Sequence, residues 1–297
     1  MPIYELSALA AAVCWALTSM ISAGPAQHLG AVRFNQLRMC MVSVLLGAYV
    51  LATGSWSTMD SAHAGAILAS GFVGIFLGDT ALFLALNRLG PRRTGILFSM
   101  NAPIAALLGW FWLGETLSVR ATAGIVLAVT GVTLAIAFGK RRDQLHQWES
   151  VKGPLWIGVS LGLLAALSQA LGSLIARPVM EAGADPVTAS AMRIGVAALC
   201  LTLLVRLPLK GMRQPNPLTL PVAGWVALSA FLGMAVGMTL ILFALSGGEV
   251  GIVSTLSATT PALLLPLLWL RTREMPAAGA WFGAALAVTG SGLIFSG

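Results

Sequence analysis

Apolar residues run along this chain in long blocks separated by short polar breaks. The blocks fall at roughly 5–23, 34–53, 62–87, 93–113, 119–138, 154–179, 186–206, 220–246, 250–270 and 276–296. An α-helix rises about 1.5 Å per residue, so about 20 residues cross the ~30 Å hydrocarbon layer of a bilayer. The pattern therefore predicts ten membrane-spanning helices. Barrel strands would show segments of about ten residues alternating polar with apolar, and nothing here alternates for that long. Gly and Pro fall where spans should end, at Gly24-Pro25, Gly90-Pro91, Gly153-Pro154, Asp185-Pro186, Pro215-Asn216-Pro217 and Pro276. A charged linker divides the spans five and five.

The blocks also repeat. Residues 72–90, FVGIFLGDTALFLALNRLG, align with 231–249, FLGMAVGMTLILFALSGGE, matching Gly74 with Gly233, Gly78 with Gly237 and Thr80 with Thr239, an offset of 159. Leu127-Ala128-Val129-Thr130-Gly131 recurs as Leu286-Ala287-Val288-Thr289-Gly290 at the same offset, and Pro103, Glu115 and Gly124 match Pro261, Glu274 and Gly283, with one residue of slippage inside helix 4. The organisation read from this is a first five-helix unit at 1–139, a linker at 140–153 and a second unit at 154–297. An odd number of spans per unit forces the second copy to enter the membrane from the opposite side. Such inverted repeats can exchange inward-open and outward-open shapes around a midplane site. A carrier working by alternating access is the expectation, with a passive channel or a non-transporting scaffold as the alternatives.

Composition narrows the chemistry. At 58% hydrophobic and 9% charged residues, the chain has too much apolar surface for one soluble core. Its net charge of +7 would point to nucleic acid in a soluble domain, but these cations sit in short loops, where membrane topology is the simpler cause. Of 17 Lys and Arg, fourteen fall on one side: Arg33, Arg38, Arg88, Arg92, Arg93, Lys140, Arg141, Arg142, Lys152, Arg206, Lys210, Arg213, Arg271 and Arg273. Arg120, Arg177 and Arg193 are assigned to the other side with most loop acids, Glu5, Asp60, Glu181, Asp185 and Glu249 among them; Arg38 and Arg193 have a second reading, within spans and serving packing or the transport path. By the positive-inside rule, both termini are expected on the extracytoplasmic side of a bacterial inner membrane. Met1 to Glu5 carries no positive charge in its side chains, so the first block reads as helix 1 and not as a signal peptide.

Cys14, Cys40 and Cys200 lie in apolar spans without disulfide or metal-ligand spacing, and His28, His63 and His146 lie in loops. Intramembrane catalysis would need a nucleophile with its base, or two aspartates at membrane depth, and neither set is present. No enzyme, cofactor, metal or nucleic-acid partner is expected. The expected partners are a small-molecule substrate and membrane lipid, with the chain acting as a monomer or a dimer.

The features occur in a set order: a Trp-containing first helix, an Arg near the start of the second repeat helix, and a Gly-rich third. A Pro follows in the fourth, then a Gly114-Glu115 or Arg273-Glu274 hinge, and a fifth helix bearing Ala-Val-Thr-Gly. Repeated in both halves, this order resembles the EamA family of the drug/metabolite transporter superfamily. The resemblance implies an all-α integral membrane protein of ten helices in two inverted five-helix repeats. It also implies export of amino acids, including aromatic ones as in YddG-type exporters, or of drugs and other amphipathic metabolites. Two features depart from it. Many members are thought to keep both termini in the cytoplasm, the reverse of the charge count. The first span offers Cys14-Trp15 where four-helix multidrug relatives carry a membrane-embedded Glu, so their proton antiport is not carried over.

Asp79 is the sole carboxylate well inside a span, and a charge at membrane depth is costly unless paired, protonated or wet. It shares a helix face with Phe76, Thr80 and Phe83 and aligns with Met238, next to Thr239. Either it faces a substrate, or it lies near the helix end and pairs with Arg88, Arg92 or Arg93. Trp15 and Ser19 lie one turn apart in helix 1, with Gln169 and Ser173 as counterparts in helix 6. Ser99 and Asn101 precede Pro103, and Thr259 precedes Pro261, where a kink would free backbone carbonyls. These residues are read either as a cavity lining or as interhelical hydrogen bonds. The glycine pairs are read as packing seams, and Glu115 and Glu274 as structural groups at tight turns met by a helix N-terminus or an Arg.

Overall fold

A computed structural model describes residues 3–138, 153–206, 216–272 and 277–295, and its elements are helices. They are α1 (Ile3–Leu29), α2 (Ala31–Thr53), α3 (Ser61–Gly71), α4 (Gly78–Ser99), α5 (Asn101–Leu108), α6 (Val119–Ala137) and α7 (Leu155–Glu181). There follow α8 (Pro186–Arg206), α9 (Leu220–Ala230), α10 (Met238–Leu245), α11 (Val250–Ser257), α12 (Thr260–Thr272) and α13 (Ala278–Phe295). Among the described residues, seven helical stretches are long and apolar enough to cross a membrane: Ile3–Ser22, Ala31–Thr53, Ser61–Leu89, Arg93–Leu113, Leu155–Glu181, Pro186–Arg206 and Leu220–Leu245. The linker at 140–152 lies outside the described residues, as do Lys210, Arg213, Pro215, Arg273, Glu274 and Pro276.

Two predicted boundaries differ. Gly24-Pro25 does not end α1, which continues to Leu29. Pro25 sits in the penultimate turns, where losing its N–H removes a single hydrogen bond, and Gly30 at φ +78° sets the end. At Gly90-Pro91 the backbone stays helical within α4, yet the chain still reverses. Descending positions on α7, Gly172, Ser168 and Gly158, lie against Gly74, Gly78 and Leu89 in turn, whereas Leu97, further along, lies back at Gly162.

Small residues bring these helices together. Ala8, Ala12 and Ala16 recur every fourth residue on α1 and are fully buried, which lets neighbouring backbones approach closely. α1 packs against α9 to α12, and α7 packs against α3 to α5, so the first helix of each half of the sequence lies among helices of the other half. α2 crosses α8, and α6 lies along α13. Large apolar side chains such as Val44, Leu51, Phe111 and Leu220 point outward, while Arg38, Asn35 and Arg193 are buried. That inversion of a soluble protein's pattern fits a lipid surround.

The helices that carry the repeated glycines are not regular. Phe72–Leu77 joins α3 to α4, and Phe231–Gly237 joins α9 to α10, each as a π-helical segment. A π turn widens the helix and shifts the register of everything after it, a device common at functional sites.

Candidate functional site

Three charged side chains converge beside these widened turns. Arg38 on α2 and Arg193 on α8 are 2% and 0% exposed, and Asp79 on α4, two residues after the first π segment, feels the charge of both. The Arg38 guanidinium lies over Phe34 and Phe83, 5.4 and 5.5 Å from the ring centres, and those rings meet edge to face. Arg193 Nη1 donates to Met238 Sδ at 3.5 Å. The glycines make the room. A Cβ at Gly74 would sit 3.0 Å from Arg193 Nη2 and 3.1 Å from Gly172 Cα, and one at Gly233 would sit 3.0 Å from Arg38 Nη2.

Several buried polar atoms here have no hydrogen-bond partner: Asp79 Oδ2, Thr80 Oγ1, Thr18 Oγ1, both polar side-chain atoms of Asn35, Arg38 Nε, and Arg193 Nε and Nη2. Buried polar groups are almost always paired, because each orphan costs about 1–3 kcal/mol and a charged one more. Concentrating orphans in one place makes that place a binding-site candidate.

The predicted residues divide. Asp79 meets neither Arg88 nor Arg93 as its charged neighbours; they are Arg38 and Arg193. Those two were counted above among the flanking cations and belong instead to the interior, where they say nothing about topology. Phe83 is buried under Arg38, whereas Phe76 turns to Phe72, with ring centres 5.2 Å apart. Gln169 lies beside Gly78, its backbone N 3.8 Å from where a Cβ would stand, and Ser173 is buried one turn away on α7. Met238 meets Arg193, and Thr239 Oγ1 donates to Ser190 Oγ at 3.1 Å.

Others are engaged locally. Trp15 Nε1 donates to the Gly233 carbonyl at 2.9 Å, pinning α1 to the second π segment, and Ser19 is exposed and bonded to the Trp15 carbonyl. Both helix interruptions ahead of Pro103 and Pro261 occur, at Met100 and at Ala258-Thr259. There Asn101 Nδ2 donates to the Phe98 carbonyl at 2.7 Å and Thr259 Oγ1 to the Leu256 carbonyl at 2.6 Å. Ser99 is buried nearby. The breaks thus satisfy themselves, because a short amide or hydroxyl side chain reaches a carbonyl freed three residues back.

Glu115 has a structural role. Its Oε1 and Oε2 both accept from Val250 N at 3.0 Å, capping α11 from the other half of the sequence, and Arg177 Nε lies 3.8 Å from Oε1. Arg177 also pairs with Glu181 at 3.2 Å. Glu249 beside this cluster is pushed up in pKa by burial and by Glu115, against the pull of Arg177. Replacing Glu115 with Ala uncaps α11 and removes one of the two carboxylates beside Arg177, an expected loss of about 1–2 kcal/mol. It is read as a lowered melting temperature in detergent, with exposed Glu181→Ala, expected to change little, as the control.

The model of the EamA-like transporter family matches residues 2–137 and again 156–296. The threonine/homoserine exporter RhtA of Salmonella typhimurium (strain LT2) is 32% identical over 147 residues, 47% of either chain, and that of Escherichia coli K12 is 32% identical over 136 residues, 43% of this chain and 44% of that one. The chain thus matches about half the length of these curated relatives. The uncharacterized transporter sll0355 of Synechocystis is 26% identical over 236 residues, 73% of this chain and 68% of that one. A solved structure titled "Crystal structure of protein" superposes with a TM-score of 0.76 at 18% identity, over 98% of this chain and 95% of the other, a likeness of fold.

Proposed function

The chain belongs to the EamA-like transporter family, and on that footing we propose that it is a secondary carrier of two inverted five-helix halves, exporting amino acids across a bacterial inner membrane. The family model's two matches support a duplicated chain, as does the exchange of α1 and α7 between halves. The observation that carries the reading is the cluster of buried Arg38 and Arg193 with half-buried Asp79, on helices of both halves and with unpartnered polar atoms. An α-amino acid brings one carboxylate and one ammonium, and this cluster offers both opposite charges at membrane depth. The RhtA relatives are named for threonine and homoserine, so small hydroxyl amino acids are the first cargo to test. Aromatic cargo is the second, and less favoured, since the Trp15 indole N–H that would help seat a ring is already bonded to Gly233.

Labelled threonine in proteoliposomes tests this directly. A carrier gives saturable counterflow, with exchange faster than net flux. Flux that rises in proportion to concentration without saturating identifies a channel, and counterflow of phenylalanine but not threonine moves the cargo to the aromatic class.

A further inference from the structure

The two halves have diverged at their arginines. Aligning Arg38 with Arg193 puts Phe34 opposite Ala189, and aligning Gly74 with Gly233 puts Phe83 opposite Leu242 and Asp79 opposite Met238. Arg38 therefore has two aromatic faces and a carboxylate in its own half. Arg193 has alanine, leucine and a thioether at the matching positions, all buried, and shares Asp79 with Arg38.

That difference leaves two N–H groups of the Arg193 guanidinium without a protein acceptor. Met238 Sδ takes Nη1, while Nε and Nη2, which point along the same edge, are both buried and without partner. Those two N–H groups form the side-on fork whose spacing matches the two oxygens of a carboxylate. A thioether is a weak acceptor and cannot balance a buried cation. Gly74 and Gly172 stand beside Nη2, with Cβ positions 3.0 and 3.3 Å away, so no side chain of either residue covers it. Asp79 Oδ2, also buried and free, is the complementary acceptor.

We infer that Arg193 holds the carboxylate of the transported molecule and Asp79 its ammonium, while Arg38, clamped by Phe34 and Phe83, positions Asp79 without touching cargo. This rests on the carrier reading above. It makes the site selective for zwitterions: an amine lacking the carboxylate forfeits Arg193, and an acid lacking the amine forfeits Asp79.

Three probes separate the contributions: threonine, 1-amino-2-propanol, which lacks the carboxylate, and 3-hydroxybutyrate, which lacks the amine. Apparent Kd values follow from ligand-induced thermal stabilisation of the purified protein. Wild type is expected to prefer threonine to either analogue by about 10- to 100-fold. In Arg193→Gln the preference over 1-amino-2-propanol is expected to fall to within about threefold, while the preference over 3-hydroxybutyrate persists. Met238→Asp supplies Arg193 with an internal carboxylate and is expected to give the same loss, which decides the matter if Arg193→Gln does not fold. Wild-type preference for threonine over 1-amino-2-propanol in both folded variants, or in Met238→Asp alone if only it folds, overturns the assignment of Arg193. A wild-type protein that shows these preferences but no threonine counterflow overturns the carrier reading instead.

Discussion

Asp79→Asn is expected to reduce threonine counterflow by more than about 100-fold. The substitution keeps size and removes the single negative charge that faces two buried arginines. Two consequences follow from the same loss. On the proposed site the cargo's ammonium loses its counter-charge, and the two buried guanidinium groups lose the one carboxylate whose charge offsets their burial. Initial rates must therefore be normalised to folded protein measured by size-exclusion chromatography, with the melting temperature recorded alongside. Asp79→Glu, which keeps the charge, is expected to retain partial exchange. Exchange by folded Asp79→Asn within about threefold of wild type would place the site elsewhere.

The second large effect is one of packing. Gly71, at the end of α3, meets α8 so closely that a Cβ would stand 2.5 Å from Arg193 Cα and 2.6 Å from its carbonyl oxygen. These are backbone atoms on a packed helix and cannot move without displacing Arg193 itself. Gly71→Val is therefore expected to destabilise by more than about 3 kcal/mol and to abolish recovery of monodisperse protein. Gly65, six residues earlier on the same helix, has nothing within 4 Å of its Cβ position. Gly65→Val is expected to be recovered in normal yield, so the pair separates the close crossing from the intrinsic helix cost of valine. Equal recovery of both would mean α3 and α8 do not cross as described.

How much of this could be read beforehand differs residue by residue. Helical spans were legible because apolar length is a one-dimensional property, and the repeat because Gly74, Gly78 and Thr80 recur in register. Asp79 stood out because one carboxylate in an apolar run is expensive wherever it faces. Arg38 and Arg193 carry the same signal, a charge within each half's second apolar block, but because both fall in the first turns of those blocks they read either as flanking cations or as interior groups for packing or the transport path. Their equivalence between halves was the clue that could have separated them from loop charges. Trp15 makes the interhelical bond that was one of its two readings, but its partner Gly233 is distant in sequence and indoles serve bonding and stacking alike, so the residue alone could not decide between them. Asn101 and Thr259 each bond a carbonyl three residues away, and only backbone geometry reveals that those carbonyls are already taken.

The seam between α6 and α13 bears on energetics in another way. A Cβ at Gly131 would stand 2.6 Å from the Gly283 carbonyl oxygen, and one at Gly290 would stand 2.6 Å from that of Gly124. The contact is isologous, each helix presenting the same patch to the other, as at the two-fold axis of a homodimer. In an inverted-repeat carrier such a joint reads identically from either side of the membrane and contributes equally to the inward-facing and outward-facing ends of the cycle. A fully symmetric molecule would rest in both with equal probability. On the proposed carrier reading, any resting bias is set where the halves differ, and the pair Asp79 and Met238 is a place where they differ in charge.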